Sequence, residues 1–316
     1  MKKSAKALLG AGALFFGSGL AMNTFVLTRA SKKFSEFKKE IEEKKNPTDM
    51  TVPKEILRAE GDAWVDSKDY DHIVIKNRKN EPIHSLVVKS DEESDKWLIC
   101  IHGYTSSPKG MGSYALHYHK RGYNVLLPCL RGHDISEHRS ITMGWLDRLD
   151  IIDWIQYLSK TYNNPQIVLH GVSMGAATVL MASSLPLPDA VKAIIADCPY
   201  SSPKAIIQKV SSDVKLPPRL AYPFVVIGAL VFGKFRLWQS SPVEAVRRTN
   251  VPILLIHGDD DRFVPCEMSE EIFDACGSGG QLMIVPGAGH ALSYFVDTEL
   301  YVRTVSDFLR LCDVIS

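Results

Sequence analysis

A serine lies between two glycines in the string Gly171-Val172-Ser173-Met174-Gly175. The string follows an apolar segment with the pattern of a strand, QIVLH, and precedes one with the pattern of a helix, ATVLMASSL. In such a tight strand-to-helix turn the central residue adopts a strained backbone conformation, and glycines two positions before and after it remove Cβ atoms that would collide. The Ser173 hydroxyl is therefore expected to project at the helix N-terminus, where it can act as a nucleophile.

Serine is a weak nucleophile until a base removes its proton, so this interpretation requires a histidine and a carboxylate later in the chain. Both follow predicted strands. Asp259, Asp260 and Asp261 come after the apolar segment PILLIH, and His290 comes after QLMIV. By position alone, any of the three aspartates is a candidate partner for His290. These residues predict nucleophilic catalysis by Ser173 with His290 as the base.

The elements that must position these side chains alternate between strands and helices from about residue 70. Strands are predicted at residues 72–76, 83–89, 97–102, 124–127, 166–170, 192–196, 252–257 and 281–285, the first two as a hairpin. Helical periodicity covers residues 113–121, 142–160, 174–184, 266–276 and 298–311. Repeated strand-then-helix order is typical of a mostly parallel sheet with right-handed crossovers, and so the sequence predicts an α/β fold.

Residues 198–245 interrupt this alternation and are too long for a simple connection. They contain Pro217-Pro218 and an apolar run from Leu220 to Phe232, which is too short to span a membrane. We interpret the segment as a small lid over the carboxyl edge of the sheet. Its apolar run, together with Trp238, is expected to line a pocket suited to acyl chains.

From about residue 70 to residue 312 the chain resembles the α/β-hydrolase superfamily, in its serine esterase and S33-type peptidase branch. Three motifs besides the one around Ser173 carry the resemblance: a His-Gly loop at 102–105, a His-Gly-x-x-Asp-x-x-Val-Pro pattern at 257–265, and a Gly-x-Gly-His pattern that ends at His290. His102 and His257, which begin two of these motifs, have structural roles in that family.

The resemblance implies a site residue by residue. Ser173 would be the nucleophile, His290 the base, and Asp261 the acid that orients it. The backbone N–H groups of Tyr104 and Met174 would form the oxyanion hole. Chemistry of this kind needs no metal or cofactor, and none is expected. Ester cleavage through an acyl-enzyme intermediate is the favoured activity.

Two other activities remain open at this point. Where the family often reads Arg-Gly-His-Gly, this chain has Asp134 in place of the last glycine, which leaves the substrate undetermined. A peptidase of the same fold would hold the substrate's amino group with an acidic pair, for which Asp134 and Glu137 are candidates. The third possibility is a non-enzymatic, membrane-tethered binding module, because fold does not fix function.

No charge occurs between Lys6 and Arg29, so residues 7–28 predict a single-pass membrane anchor or a signal peptide. Positive charge after this segment favours a cytoplasmic body, and secretion after cleavage near Ala21 is the alternative. The resulting domain prediction is an anchor at 1–30, a charged stalk and extension at 31–69, and an α/β-hydrolase domain at 70–316. Residues 29–58 are expected to form a solvated helical stalk.

Composition excludes several classes of protein. The 316 residues are 45% hydrophobic and 23% charged, as in an ordinary globular protein. A net charge of +1 gives no general attraction for nucleic acid. The six cysteines have no CxxC pair, so a thiolate metal site is not expected, and Cys100, Cys129 and Cys198 are predicted to be buried thiols. The expected partners are a small-molecule or lipid-like ester and a membrane.

Overall fold

The computed structural model describes Leu27 and residues 54–213, 215, 217–312 and 314. Apart from Leu27, the predicted membrane segment at 7–28 lies outside the described residues, as does the first part of the predicted stalk. Leu27 is buried, and its backbone oxygen accepts a hydrogen bond from the Ile141 N–H at 2.8 Å. Within the described residues, no helix combines the length and the apolar character that a membrane span requires.

Eight strands form one sheet in the order β1-β2-β4-β3-β5-β6-β7-β8. Their bounds are β1 Asp71–Lys76, β2 Pro82–Val88, β3 Lys96–Ile101, β4 Asn124–Pro128, β5 Gln166–Val172, β6 Val191–Asp197, β7 Ile253–Gly258 and β8 Gly280–Val285. The β1–β2 and β2–β4 pairs are antiparallel, and every other pair is parallel. The prediction of a mostly parallel sheet that opens with a hairpin is confirmed.

The helices are α1 Lys54–Ser67, α2 Gly112–His119, α3 Asp147–Thr161, α4 Met174–Ala182, α5 Pro203–Asp213, α6 Pro218–Val231, α7 Pro242–Val246, α8 Glu267–Ala275, α9 Ser293–Val296 and α10 Thr298–Leu311. The helix predicted to begin at residue 142 begins at Asp147 instead. Met143 and Gly144 have φ values of 48° and 73°, which an α-helix cannot accommodate.

Both faces of the sheet are covered. Along β3, Trp97, Ile99 and Ile101 belong to one apolar cluster, whereas Leu98 and Cys100 belong to a second. Helices α3, α4 and α8 contribute to the first cluster, and α2 and α10 to the second. Because successive side chains of a strand point to opposite faces, the two clusters are the two layers between sheet and helices.

Residues 54–67, which cover the end of the predicted helical stalk and most of the extension after it, form α1, which packs against α2. The contact is a close backbone approach: a Cβ atom added to Gly61 would lie 2.1 Å from the Ser113 nitrogen. One added to Gly112 would lie 2.3 Å from the Gly61 oxygen. Val65, one turn further along α1, is fully buried. The two glycines let the helices approach, so the extension after the predicted stalk packs onto the domain and buries an apolar side chain.

The segment predicted to be a lid contains α5, α6 and α7. The apolar run from Leu220 to Phe232 lies mainly in α6, which begins directly after Pro217 and carries Pro223 in its interior. Val225 and Ala229 are buried in the core. The helix therefore packs its apolar side onto the domain.

Candidate active site

Ser173 lies in the turn between β5 and α4 with φ 57° and ψ −116°, a conformation that L-residues rarely adopt. The turn is too tight for side chains at the flanking positions. A Cβ atom added to Gly171 would lie 2.3 Å from the carbonyl carbon of Gly175, and one added to Gly175 would lie 2.2 Å from the Ile101 oxygen. The Ser173 N–H donates a hydrogen bond to the main-chain oxygen of Asp197 at 2.8 Å, which fixes the turn to β6.

The structure brings Ser173, His290 and Asp261 together. Ser173 Oγ lies 2.9 Å from His290 Nε2, and His290 Nδ1 lies 2.7 Å from Asp261 Oδ2. His290 follows β8 and Asp261 follows β7, so parallel strands deliver all three side chains to one edge of the sheet. All three residues are buried. This geometry can relay a proton from the serine hydroxyl to the imidazole.

Of the three consecutive aspartates, only Asp261 contacts His290. Asp259 accepts a hydrogen bond from the Gly287 N–H at 2.6 Å, and Asp260 pairs with Arg262 at 2.9 Å. Both therefore stabilise the loop rather than the imidazole. Of the three aspartates that position alone left open, Asp261 is the one in contact with His290.

The Asp261 carboxylate is held by more donors than His290. Its Oδ1 accepts hydrogen bonds from the Phe263 and Val264 N–H groups at 3.0 and 2.8 Å. Its Oδ2 also lies 3.2 Å from Nε2 of His257. Burial by itself would raise the pKa of Asp261, but the charge of His290 and the hydrogen bonds from the two histidines outweigh it and lower the pKa. Asp261 is therefore ionised at neutral pH.

His257 thus acts as a second support for the acid. Its Nε2 also approaches the Val264 oxygen at 2.8 Å, and its Nδ1 is 2.6 Å from Ser269 Oγ. Burial lowers the pKa of His257, but its hydrogen bond and charge interaction with Asp261 raise it overall. The expected structural role of His257 includes this contact, which the spacing of the motif did not reveal.

The loop after β3 lies against the nucleophile. A Cβ atom added to Gly103 would lie 3.2 Å from Ser173 Cβ, so the backbone at Tyr104 is close to the serine. Met174 is the first residue of α4, and N–H groups in the first turn of a helix have no partner within the helix. Of the two N–H groups expected to form the oxyanion hole, one therefore belongs to the loop packed against Ser173 and the other to the residue that follows Ser173.

Two histidines form hydrogen bonds with the main chain of the loop after β3. His133 Nε2 accepts a hydrogen bond from the Thr105 N–H at 3.1 Å, and its Nδ1 donates to the Arg131 oxygen at 2.9 Å. His102 Nδ1 donates to the Gly103 oxygen at 2.9 Å. Burial lowers the pKa of His102 to about 3, and it is a neutral structural residue, as the resemblance implied. The contact of His133 could have been suspected only from its place in the Arg-Gly-His string.

A cleft of about 160 Å³ opens beside Ser173 and His290. It is lined by Arg58, Gly103, Tyr104, Thr105, Ser106, Gly110, Met111, Tyr114, Val172, Ser173, His290 and Ala291. No described side chain of the lid lines it, and Trp238, which was expected to do so, is 50% exposed. Asp134 and Glu137 are exposed and do not line it either. The cleft is therefore more polar than expected.

Comparison with known proteins decides the family. The model of the alpha/beta hydrolase family matches residues 98–304, which contain Ser173, Asp261 and His290. The chain belongs to this family. Among curated relatives, an uncharacterised protein, YqkD, of Bacillus subtilis is 27% identical over 67% of this chain and 70% of its own length. A thermostable monoacylglycerol lipase of a Bacillus species is 26% identical over 57% of this chain and 76% of its own length.

Solved structures show the same fold. An esterase of Pyrococcus furiosus superposes with a TM-score of 0.62 at 25% identity, covering 77% of this chain and 91% of that one. A puromycin-hydrolysing peptidase of Mycobacterium tuberculosis gives 0.61 at 18% identity, covering 77% and 39%. This chain therefore has the α/β-hydrolase fold, a mostly parallel eight-stranded sheet flanked by helices, and its neighbours include both esterases and peptidases.

In this α/β-hydrolase, one group of described residues has the donor types and spacing to hold a metal ion: Cys198, Asp261 and His290, whose ligand atoms lie within 4.8 Å of one another. Two of the three already hydrogen-bond to each other, and all three are buried. Burial raises the pKa of the Cys198 thiol well above its usual range, which opposes the thiolate that a metal needs. The group is better explained by a neutral, buried Cys198 thiol that packs near the His290–Asp261 pair.

Proposed function

We propose that this protein is a serine hydrolase that cleaves carboxylic esters through an acyl-enzyme intermediate. The contact that carries the proposal is the 2.9 Å approach of Ser173 Oγ to His290 Nε2, with Asp261 2.7 Å from the other ring nitrogen. A hydroxyl, a base and an orienting carboxylate in this order are the parts that nucleophilic catalysis needs.

In the first half of the reaction, Ser173 Oγ attacks the ester carbonyl carbon while His290 Nε2 removes the hydroxyl proton. The resulting imidazolium is stabilised by the ionised Asp261, and Asp261 is kept ionised by its four donors. The N–H groups of Tyr104 and Met174 bind the oxyanion, a contribution of about 3 kcal/mol for each donor. His290 then gives its proton to the leaving alcohol.

In the second half, water replaces the alcohol. His290 removes a proton from the water as it attacks the acyl carbon, a second oxyanion forms in the same hole, and the Ser173 oxygen leaves with the proton that His290 returns. The products are the carboxylic acid and the restored hydroxyl. Each proton that His290 removes is given back within the same half-reaction.

Two observations favour esters over peptides. The relative from a Bacillus species is a monoacylglycerol lipase, and the neighbour from Pyrococcus furiosus is an esterase. The acidic pair that a peptidase would use for an amino group, Asp134 and Glu137, is exposed and lies outside the cleft. An ester substrate needs no such pair.

The test is hydrolysis of 4-nitrophenyl esters from butanoate to dodecanoate by the full-length protein, its Ser173→Ala variant and its Ser184→Ala variant. Ser184 is a matched control because its hydroxyl only donates to the Met181 oxygen at 2.9 Å, outside the cleft. We expect the wild type and Ser184→Ala to be active and Ser173→Ala to lose at least about 10,000-fold in kcat/KM. Inactivity of the wild type on the whole series, or activity retained by Ser173→Ala, would overturn the proposal.

We also propose that the uncharged N-terminal segment anchors the protein in a membrane. The support is the sequence: a span that ends before the buried Leu27 can still begin at Ala7 and reach the roughly 20 residues that a bilayer requires. Extraction of cell membranes at alkaline pH tests this, because a protein held only by its surface is released and an anchored one is not.

A further inference from the structure

One charged side chain lines the cleft, and it comes from α1, outside the part of the chain that the family model matches. Arg58, Gly61 and Val65 are spaced by three and four residues, so they share one face of the helix. Gly61 contacts α2 and Val65 is buried, so this face is turned towards the domain. Arg58 is consequently held over the active-site cleft by the packing of its own helix.

A second side chain that lines the same cleft carries a buried hydroxyl. Tyr114, on α2, is only 4% exposed, yet its hydroxyl has no hydrogen-bond partner among the described residues. Burial, together with the charges of Asp197 and Cys198, raises the pKa of Tyr114 well above its usual range, and the charge of Arg58 acts in the opposite direction. A buried hydroxyl without a partner is costly, and it is satisfied when a ligand supplies an acceptor.

The charge of Arg58 is not balanced within the described part of the chain, where it has no ion-pair partner. The remaining side chains around the cleft are neutral, apart from the imidazole of His290. The cleft beside the nucleophile thus presents a guanidinium and a phenolic O–H, together with the small hydroxyls of Thr105 and Ser106, and no carboxylate. Groups of this kind recognise an anion, because a guanidinium makes charge-assisted hydrogen bonds with carboxylate or phosphate oxygens.

We propose that Arg58 and Tyr114 form a subsite for an anionic group of the substrate, so that this protein prefers carboxylic esters that carry a carboxylate or phosphate group to neutral esters of the same size. The proposal rests on the ester hydrolysis proposed above. The Arg58 guanidinium binds the anion and the Tyr114 hydroxyl donates a hydrogen bond to it, while Ser173 attacks the ester carbonyl in the same cleft.

The experiment compares two esters of equal acyl length, 4-nitrophenyl hexanoate and the mono-4-nitrophenyl ester of adipic acid, with the full-length protein. The variants are Arg58→Met, Arg58→Lys and Tyr114→Phe, and Arg303→Met is the matched control because Arg303 is exposed on α10 and does not line the cleft. A second pair, 1-decanoylglycerol and its 3-phosphate, distinguishes a phosphate from a carboxylate as the natural anion.

We expect the wild type to prefer the charged member of at least one pair. In Arg58→Met the ratio of kcat/KM for the charged ester to that for the neutral ester falls about tenfold or more, mainly through KM, because a hydrogen bond to a charged group is lost. Arg58→Lys recovers part of the ratio, Tyr114→Phe lowers it less, and Arg303→Met leaves it unchanged.

Three outcomes distinguish failure of the anionic subsite from failure of the proposed ester hydrolysis. A wild type that hydrolyses neutral esters through Ser173 but shows no preference for either charged ester refutes the anionic subsite alone. Equal losses on charged and neutral esters in Arg58→Met also refute it, since they indicate a structural role. Absence of activity on all four esters refutes ester hydrolysis itself.

Discussion

Asp197 gives the sharpest test of the electrostatics around the site. It is the last residue of β6 and is fully buried, and its Oδ2 accepts a hydrogen bond from the Tyr301 hydroxyl at 3.1 Å. Burial raises its pKa from the ordinary value of 3.8 to about 7, although the charge of His257 and the Tyr301 hydrogen bond act in the opposite direction. The perturbation is Asp197→Asn, which keeps an acceptor for Tyr301 and removes the charge.

The sign of the effect follows from proton binding. Between pH 4 and pH 7 the folded protein holds a proton on Asp197 that the unfolded chain has released, so the free energy of unfolding falls as the pH rises through this window. At about 1.4 kcal/mol for each pH unit, the whole window is worth about 4 kcal/mol, and the part above pH 5 about 3 kcal/mol. Asparagine has no such dependence. The stability of Asp197→Asn relative to the wild type is therefore expected to rise by about 3 kcal/mol between pH 5 and pH 8.

The assay is urea unfolding of both proteins at pH 5, 6, 7 and 8, in matched buffers. Other titrating groups are common to both proteins and largely cancel in the difference. Tyr301→Phe is a second check. The Tyr301 hydroxyl stabilises the ionised Asp197 carboxylate, so its loss raises the pKa of Asp197 and extends to higher pH the range over which the free energy of unfolding falls. A difference between Asp197→Asn and the wild type that stays constant from pH 5 to pH 8 would refute the reasoning.

Two further predictions concern the nucleophile and its acid. Asp261→Asn is expected to lower kcat by about 1,000- to 10,000-fold in ester hydrolysis, because the imidazole loses the charge that stabilises its protonated form; Asp259→Asn, on the same loop, should stay within about twofold of the wild type, and a similar loss in both variants would contradict the assignment of the acid. Gly175→Ala is expected to destabilise the protein by about 3 kcal/mol or more in thermal unfolding, because its Cβ would lie 2.2 Å from the Ile101 oxygen. Gly279→Ala, where an added Cβ meets nothing within 4 Å, is the control, and equal melting temperatures for the two variants would show that the turn can relax.

The sheet and the residues at its edge could be predicted because each depends on a local pattern. A short β-branched run predicts a buried strand wherever it occurs, and the parallel order then brings the ends of β5, β7 and β8 together. Ser173 was marked by glycines on both sides, whose necessity the structure explains by the 2.2 and 2.3 Å approaches. Which of the three aspartates contacts His290 could not be predicted from the sequence. Adjacent residues on one loop differ in the direction of their side chains, and spacing does not give that direction.

The contacts that the sequence did not predict join residues far apart in the chain. The exception is the contact of His257 with Asp261, which lies within a single motif; His133, in contrast, reaches Thr105 from the loop after β4. Arg58 reaches the cleft from a helix that composition alone assigned to a solvated stalk. Hydrophobic periodicity does not predict that Arg58 lies at the cleft, because its position depends on the close approach of Gly61 to Ser113 between two helices.

The residues proposed to carry out the reaction and those proposed to select the substrate lie in different parts of the chain. The groups proposed to break the ester bond lie at strand ends of the sheet, where a change in direction of one side chain would disable the reaction. The groups proposed to select the substrate lie on α1 and α2, which pack outside that edge. If these groups act as proposed, substitutions at Arg58 or Tyr114 alter which esters bind while Ser173, His290 and Asp261 keep their contacts. On this proposal, substrate preference depends on how α1 packs, and α1 precedes the residues that match the family model.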